Sequence, residues 1–444
     1  MEVLVALFWH FVAYFHSWKG SAALVIAAVL IYKLRPRWQK KSKSNTKAIL
    51  PLRRYDCEGS SRLESLRSLD GDDQSASVKG LLVYPLKSCK GIEVPIARVD
   101  KTGFRFDRLF SFAECKGGNW RIITQREYSK LALIETELWL PDSSHAEQYE
   151  KSSGEKKSCA TEMRTAPSNV TKQETGHDGE PTPSGHSHAI DRVRDVRANG
   201  GFLLVRFAFE DDVTTLRVPL CPTPERAAAK KYRPENLSVW IDTPKAIDVT
   251  SEIKSSDVER LQRFLGVKHS LGLFRMDESN LRTITRSLPK DLPDEHFEVG
   301  LADAFPVHLI NIASVRELNM SMDPQIEIKN LDVGRFRANI IVSAPAYEED
   351  SWKRVCIGNT IYHVACRTAR CPLANVDQET GVMARHEPLR TLKRTRVVDE
   401  GAKPHAVLGL SMIPLGRLGK ASICVEDQVE VMKTGEHFYE KMFK

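Results

Sequence analysis

The sequence predicts a mainly β protein with some helices (α+β), whose strands close into a barrel or a curled sheet. Short runs rich in Val, Ile, Phe and Thr recur along the chain, several of them alternate apolar and polar residues, and turn-forming residues separate them. The chain has 444 residues, of which 41% are hydrophobic, and is therefore long enough for one large or two ordinary domains.

The first 40 residues predict a membrane anchor with a basic flank. Residues 3–15 and 22–32 are strongly apolar, and lysines and arginines follow them. Neither run alone reaches the roughly 20 residues that a spanning helix needs, whereas one tilted transmembrane helix that draws on both does. The basic flank predicts that the following residues face the cytosol. A cleaved secretory signal is the alternative, but Glu2 makes the start acidic and no convincing cleavage site follows.

Two polar segments are expected to lie outside the folded core. Residues 41–77 have few large apolar side chains, which is typical of a disordered stalk. Residues 142–189 lose nearly all such side chains and are typical of a disordered insertion. The histidines of the insertion hint weakly at a metal site, but a solvated role is favoured because metal sites need fixed geometry.

The remaining segments supply the predicted strands and helices in order. The predicted strands lie at residues 78–84, 103–112, 119–124, 203–209, 214–220, 340–343, 354–365 and 422–432. Ser255 or Ser256 is the predicted N-cap of a helix that ends near Leu265. A second short helix is predicted over residues 312–319, directly after Asn311.

Charge and cysteine usage exclude two classes of protein. The net charge of +7 is modest for this length and is not gathered into a long basic tract in the body of the chain, so nucleic-acid binding has little support. Nine cysteines without a repeating spacing do not resemble a disulfide framework and suit a reducing compartment.

Cys371 is the first candidate for chemistry. A predicted hairpin folded at Gly358 and Asn359 delivers this cysteine into the loop behind its second strand, where sites are common. Arg367 and Arg370 are expected to favour its thiolate, the form that ligates metals.

Two other roles for this cysteine region remain open. Cys366 and Cys371 are small residues that a protein core can simply bury. A zinc pair is conceivable for their spacing, but no second cysteine pair or close histidine pair completes a four-ligand set.

Two further loops are candidates for binding a phosphate or another anion. Lys87, Ser88 and Lys90 follow the first predicted strand and are suited to holding a phosphate, although an ordinary polar loop is equally compatible with this pattern. Residues 300–306 form a loop before the second helix and can supply backbone donors.

Arginines close to predicted strands are also candidates. Arg108 and Arg126 form a pair suited to an anion, although an internal ion pair between Asp107 and Arg108 is the more frequent outcome. Arg337 and Asn339 share one face if this segment is extended.

Together these motifs resemble the MOSC domain proteins, and among them the membrane-anchored mitochondrial amidoxime reducing components. The resemblance rests on YPLKSCKG, on DR with a following TQR, on RFRANI and above all on ARCPLANVDQETGVM. It implies a MOSC N-terminal β-barrel part over residues 78–265, which contains the insertion, and a MOSC core β-barrel over residues 266–437. It also implies a molybdenum-molybdopterin cofactor.

Residue by residue, the resemblance implies that Cys371 is catalytic and ligates the molybdenum. The implied cofactor-binding residues are Lys87, Ser88, Arg108, Ala304, Phe305, Arg337, Asn339, Ala369, Arg370 and Cys371. Two positions depart from the family, since Ala369 stands where a serine is frequent and Ser411 where an aromatic residue is expected. Asp377 is a conceivable proton donor, but a structural turn role is favoured.

The implied activity is that of a molybdenum-dependent oxidoreductase that reduces N-hydroxylated compounds, such as amidoximes and hydroxylamines, by N–O cleavage. No flavin or haem motif is visible, so electrons are expected from cytochrome b5 and its NADH-dependent reductase. The implied location is the mitochondrial outer membrane, with the endoplasmic reticulum second. The alternative is a molybdenum cofactor carrier or sulfur-transfer protein. A cofactor sulfurase itself needs an upstream pyridoxal phosphate domain, where this sequence instead predicts an anchor and stalk.

Overall fold

The computed structural model describes residues 52–55, 75–141, 200–323, 328, 330–416, 418 and 421–441. The predicted anchor at residues 1–40 and the predicted insertion lie outside these residues, as does most of the predicted stalk. Within the stalk, Leu52–Arg54 forms a short strand. Of the helices in the described ranges, none combines the length and the apolar character needed to cross a bilayer. Arg53–Ser143 and Arg194–Lys444 form one compact unit.

Strands dominate the described residues, as the sequence predicts. They are β1 (Leu52–Arg54), β2 (Ser77–Val83), β3 (Ile92–Glu93), β4 (Ile96–Asp100), β5 (Gly103–Phe104), β6 (Phe110–Lys116), β7 (Asn119–Ile122), β8 (Glu135–Pro141), β9 (Phe202–Phe209), β10 (Asp212–Pro219), β11 (Arg233–Ser238), β12 (Lys245–Asp248), β13 (Ser270–Met276), β14 (Arg282–Thr283), β15 (Glu298–Val299), β16 (Val307–Asn311), β17 (Ile340–Ser343), β18 (Trp352–Ile357), β19 (Thr360–Ala369), β20 (Val407–Leu415), β21 (Ser422–Cys424) and β22 (Val429–Thr434). The α-helices in the same ranges are α1 (Pro224–Lys230), α2 (Ser255–Leu265), α3 (Ile312–Met320) and α4 (Leu389–Thr395).

A closed barrel and a large open sheet organise these strands. The barrel runs in the order β11-β12-β13-β6-β7 and closes through a parallel pair between β11 and β7. Inside it, Trp120 meets Phe274 edge to face, with 4.8 Å between the ring centroids. Barrel closure leaves no free strand edge, so its backbone groups are paired within the barrel.

The open sheet has eight strands in the order β22-β18-β19-β20-β16-β17-β2-β3. Most neighbours are antiparallel, whereas β16 and β17 are parallel and pair Leu309 with Ile340. Trp352 and Tyr362 from β18 and β19 are fully buried. This sheet positions the candidate site, because the loops after β2 and β19 and the start of β16 lie at the same cavity.

Most predicted elements are confirmed, but each of two predicted strands is interrupted in the structure. The predicted hairpin is β9 and β10, and Asn311 caps α3 by accepting a hydrogen bond from the Ala313 amide at 3.1 Å. The strand predicted at residues 103–112 is interrupted after Phe104, where Phe106 and Arg108 have positive φ. The strand predicted at residues 422–432 is interrupted near Glu426, whose φ is also positive. Such backbone conformations cannot continue a strand.

One local prediction is wrong, and the condition attached to another is not met. Helix α2 is capped by Lys254 without a side-chain hydrogen bond, because Ser255 is already its first helical residue. The segment before β17 is not extended, since Val333–Phe336 is a 3-10 helix and Arg337 takes a left-handed conformation with φ of 52°. Arg337 and Asn339 therefore reach the cavity from a turn rather than from one face of a strand.

Candidate functional site

A cavity of about 490 Å³ lies where loops of the open sheet meet loops of the barrel. Every cofactor-binding candidate from the sequence lines it: Lys87, Ser88, Arg108, Ala304, Phe305, Arg337, Asn339, Ala369, Arg370 and Cys371. These residues come from five separate stretches of the chain, so the fold brings together positions that are far apart in sequence.

Cys371 is half-buried and follows the end of β19, where it precedes a 3-10 helix over Pro372–Asn375. Its sulfur accepts a hydrogen bond from Arg126 Nε at 3.1 Å. The expected partners were instead Arg367 and Arg370, its neighbours in sequence. The structure corrects this expectation for Arg367 alone, which pairs with buried Asp399 and does not line the cavity. Arg370 does line the cavity, where burial lowers the pKa of its guanidinium and the nearby Cys371 sulfur opposes this shift.

Asp303 joins two cations at the same wall of the cavity. Its carboxylate accepts a hydrogen bond from Lys87 Nζ at 2.5 Å and another from Arg126 at 3.1 Å. Burial alone would raise the pKa of Asp303, but Lys87 and Arg126 outweigh it and hold this pKa well below its usual range. Asp303 is thus ionised and orients Arg126 toward Cys371.

Lys87 is buried at this wall and also donates to the carbonyl oxygen of Leu301 at 2.8 Å. Burial lowers the pKa of Lys87 to about 8, although Asp303 opposes the shift. The amine therefore gains and loses a proton close to neutral pH. The sequence also suggested Lys90 as part of this phosphate site, but Lys90 is exposed, lies near Glu135 and is outside the cavity lining.

Two guanidinium groups pack against the buried ring of Tyr84. Arg108 lies 4.6 Å and Arg337 lies 4.4 Å from its ring centroid. Arg108 also donates to Asn339 Oδ1 at 2.9 Å and pairs with Asp107, so the predicted internal ion pair is present, with Arg108 in the lining and Asp107 behind it. Burial lowers the pKa of Arg337 to about 10, and the group stays charged at neutral pH.

Arg370 and His308 form the next part of the wall. Arg370 donates to His308 Nε2 at 2.7 Å, and His308 Nδ1 donates to the Leu410 carbonyl at 2.9 Å. Burial, followed by Arg370, lowers the pKa of His308 well below its ordinary value, so the imidazole is neutral. Gly409 leaves room for this pair, because a Cβ there would lie 2.9 Å from His308 Cε1 and 3.2 Å from an Arg370 guanidinium nitrogen.

Trp240 lines the cavity next to Arg126, the residue that donates to the Cys371 sulfur. Its side chain is 49% exposed, although large aromatic residues are usually buried. The Arg126 guanidinium lies 4.7 Å from the Trp240 ring centroid. Trp240 also has a φ of 54°, a strained conformation of the kind that clusters at functional sites.

The cavity is suited to a polyanionic ligand, and the Cys371 thiol adds one group that can ligate a soft metal carried by such a ligand. Its described lining contains five arginines and two lysines, and Asp303 is the single carboxylate among these residues. Buried Arg335 Nε has no hydrogen-bond partner in the described structure, which leaves a donor at the wall. A thiol is a soft metal ligand, and guanidinium groups bind phosphate through two directed hydrogen bonds.

Asp377, the conceivable proton donor, lies outside the cavity lining. Its carboxylate accepts hydrogen bonds from the amides of Glu379 at 3.0 Å and Thr380 at 2.9 Å, and from Arg335 at 2.6 Å. This arrangement is a structural turn, as the sequence favours.

Several lining residues were not identified from sequence: Asp303, His308 and Trp240. Asp303 belongs to the loop at residues 300–306 that was singled out for its backbone donors, so only its side chain was overlooked. Trp240 and His308 have no local motif, and their role depends on tertiary approach.

Two protein-family models match the chain. The family model of the MOSC N-terminal beta barrel domain matches residues 75–179, and that of the MOSC domain matches residues 296–430. The chain is 36% identical over 123 residues to the mitochondrial amidoxime reducing component 2 of Rattus norvegicus, which covers 28% of this chain and 35% of the relative. It is 30% identical over 212 residues to the same component of Bos taurus, which covers 45% of this chain and 57% of the relative.

A third relative is the molybdenum cofactor sulfurase of Pyricularia oryzae, which is 24% identical over 360 residues. That match covers 75% of this chain and 38% of the sulfurase. The matched region therefore spans little more than half, or less, of each of these three relatives.

Proposed function

Since the chain carries a MOSC N-terminal β-barrel domain and a MOSC domain, we propose that it binds a molybdenum cofactor in the cavity and reduces N-hydroxylated compounds. The observation that carries this proposal is the position of Cys371 at the wall of a cavity with five arginines. The substrates proposed are amidoximes, as the names of the amidoxime reducing relatives suggest, and hydroxylamines as the related N-hydroxylated compounds.

Cys371 is the proposed ligand of the molybdenum, and Arg126 stabilises its sulfur through the 3.1 Å hydrogen bond. Arg108, Arg337 and Arg370 are the proposed contacts of the phosphate and pterin. When bound, the cofactor supplies the two-electron chemistry that removes oxygen from nitrogen. Carbonyl and carboxylate groups of the protein hold these arginine side chains in place before the ligand binds. This lowers the conformational entropy that the side chains lose on binding.

Loss of the N-hydroxyl oxygen consumes protons, and Lys87, which lines the cavity and is joined to Arg126 through Asp303, is the proposed group to hold one. The pKa of Lys87 is about 8, so its Nζ is mostly protonated at neutral pH and can still release the proton. His308 is unsuited to this role, because its pKa lies well below the ordinary value and its Nε2 accepts from Arg370.

The electrons are proposed to come from a partner haem protein, cytochrome b5, which its NADH-dependent reductase reduces. The proposed location is the mitochondrial outer membrane, with the endoplasmic reticulum second, and residues 1–40 as the anchor. The mitochondrial names of the amidoxime reducing relatives support this location. Anchoring both proteins to one surface raises their effective concentration for each other.

A cofactor carrier or sulfur-transfer protein is the second candidate. The similarity to the sulfurase of Pyricularia oryzae favours it, because that match covers 75% of this chain. Both candidates use the same cavity, and they differ in whether the bound cofactor turns over.

The test uses the full chain, expressed in a host that makes the cofactor, with cytochrome b5, its reductase and NADH as electron source. Benzamidoxime reduction is measured for the wild type, for Cys371→Ala and for Cys356→Ala as the matched control. Cys356 is a half-buried cysteine in β18 outside the cavity lining. Activity in the wild type and control, lost in Cys371→Ala, supports the reductase. Bound molybdenum without turnover favours the carrier, and a folded chain without molybdenum contradicts both.

A further inference from the structure

The chain continues past its last strand, β22, and this continuation reaches the cavity. Residues 435–441, named here the C-terminal strap, place Tyr439 and Lys441 in the cavity lining. The matched MOSC domain ends at residue 430, so the strap lies outside the family model. Its two lining residues are therefore a contribution of this chain to the site.

Hydrogen bonds anchor the strap along its length. The Gly435 amide donates to the Ser351 carbonyl at 2.8 Å, and His437 Nε2 donates to the Trp352 carbonyl at 2.8 Å. Farther along, Glu440 accepts from the Ser287 amide at 2.8 Å. None of these bonds uses the side chain of Tyr439 or Lys441, the two strap residues that line the cavity.

The strap contacts Asp399 and Gly401 at Tyr439. Asp399 is fully buried, and its Oδ1 accepts from the Tyr439 amide at 2.9 Å and from the Gly401 amide at 3.0 Å. A Cβ on Gly401 would lie 2.2 Å from the Tyr439 carbonyl oxygen and 2.6 Å from its nitrogen. A side chain at this position would force the strap away, so glycine is what allows it to approach.

The strap meets the cavity beside the last residues of β19. Burial, followed by the buried Cys366 thiol, raises the pKa of Tyr439, and Cys366 shares the cavity lining with Thr368 and Ser411, whose hydroxyl groups share a hydrogen bond of 2.9 Å. Cys366 and Ala369 both lie in β19, and an extended strand advances about 3.3 Å per residue, so about 10 Å of strand separate Cys366 from the residue at which β19 ends before Cys371. Tyr439 therefore lines the cavity beside Cys366 rather than beside Cys371.

We infer that the strap is part of the cofactor site, and that Tyr439 and Lys441 bind the pterin ring system of a cofactor whose metal lies at Cys371. This inference rests on the proposed function, which places the metal. A pterin is a flat heterocycle with carbonyl and ring-nitrogen acceptors at its edge, so it suits an aromatic side chain beside an amine. The arginines on the other walls remain for the phosphate.

The first experiment measures ligand binding to the cofactor-free full chain, with 6-hydroxymethylpterin as one probe and pyrophosphate as the other. Lys441→Ala is expected to weaken pterin binding about fivefold, the effect of one hydrogen bond, and to change pyrophosphate binding less than about twofold. Gly401→Ala, which displaces the strap but keeps both lining side chains, is expected to weaken pterin binding at least as much. The matched control is Lys433→Ala, an exposed lysine on β22 outside the lining.

The second experiment follows release of the intact cofactor from the loaded chain by its molybdenum content over time. Release is expected to be about fivefold faster in Lys441→Ala and in Gly401→Ala than in Lys433→Ala.

The possible results separate this inference from the proposed function. The inference is overturned if the wild type binds no pterin, or if the strap variants bind pterin and retain the cofactor as well as the wild type does. Either result overturns it even if the wild type reduces amidoximes. Weakened pyrophosphate binding with unchanged pterin binding assigns the strap to the phosphate and overturns the pterin assignment. A wild type without amidoxime reduction, whose strap variants lose pterin affinity, overturns the reductase and leaves the inference standing.

Discussion

Replacing Asp303 by asparagine tests the charge balance of the cavity. The substitution keeps the shape of the side chain and removes the carboxylate that Lys87 contacts at 2.5 Å and Arg126 at 3.1 Å. Removing one partner of a buried ion pair costs about 3 to 5 kcal/mol. Since 41% of the Asp303 side chain is accessible, solvent screens part of this loss, and we expect a decrease in the free energy of unfolding of about 2 to 3 kcal/mol at pH 6.

The loss should depend on pH with a defined sign. The pKa of Lys87 is about 8 in the folded protein, and removal of Asp303 lowers it further, because Asp303 raises it. At pH values below the pKa of Lys87 in the folded variant, Lys87 is charged and lacks its carboxylate partner. The decrease in the free energy of unfolding is therefore at its full size in this range. Above pH 8 the amine is neutral in both folded proteins and its contribution to the difference disappears. The destabilisation should therefore shrink to about 1 kcal/mol at pH 9, which is the part that arises from Arg126.

The assay is urea unfolding of the cofactor-free protein at pH 6, 7, 8 and 9, followed by tryptophan fluorescence. Glu298→Gln is the matched control, because Glu298 pairs with Lys101 at the same 2.5 Å distance while 64% of the lysine side chain is exposed. The control should stay within about 0.5 kcal/mol of the wild type at every pH. A loss in Asp303→Asn that is the same at pH 6 and pH 9 would refute the assigned role of Lys87.

Three further predictions concern a buried glutamate, the glycine beside Arg370 and the exposed tryptophan at the cavity. Burial raises the pKa of Glu349 to about 7, so the free energy of unfolding of the wild type should fall as pH rises from about 4.3 through 7. Glu349→Gln should remove this pH dependence. At pH 8 the variant should be about 2 kcal/mol more stable than the wild type, measured by thermal or urea unfolding. Gly409→Ala should lower the free energy of unfolding by more than about 1 kcal/mol, since φ is +72° and a Cβ would lie 2.5 Å from the Leu309 carbonyl oxygen; an unchanged urea midpoint would contradict this. Trp240→Ala should raise the KM for benzamidoxime about fivefold more than the KM for a small aliphatic hydroxylamine, because an exposed ring at the cavity can stack on an aromatic substrate. Equal changes in the two KM values would argue against this contact.

Local patterns were sufficient for much of the fold. Alternation of apolar residues identified β9 and β10, and glycine at position 358 identified the hairpin that ends near Cys371. Failures occurred where the backbone leaves a regular conformation within an apolar run, as at Arg108 and Glu426, because composition does not report positive φ in non-glycine residues.

At the site, the sequence identified residues that carry a motif and missed those whose role depends on long-range contacts. Arg126 and Asp303 are 177 residues apart, and their joint approach to Cys371 is set by the docking of barrel loops onto the open sheet. Of the nearest arginines in sequence, Arg370 does lie at the sulfur's wall of the cavity, whereas Arg367 pairs with Asp399 instead. The strap was missed for a similar reason, because Tyr439 and Lys441 have no motif and their placement depends on Asp399 and Gly401.

The most direct test of the account is the number of sulfur atoms around molybdenum, measured by X-ray absorption at the molybdenum edge for the wild type and Cys371→Ser. The account predicts bound molybdenum in the wild type and one sulfur ligand fewer in the variant. Equal sulfur counts in the two proteins, or a folded wild type that takes up no molybdenum from a host that makes the cofactor, would contradict it.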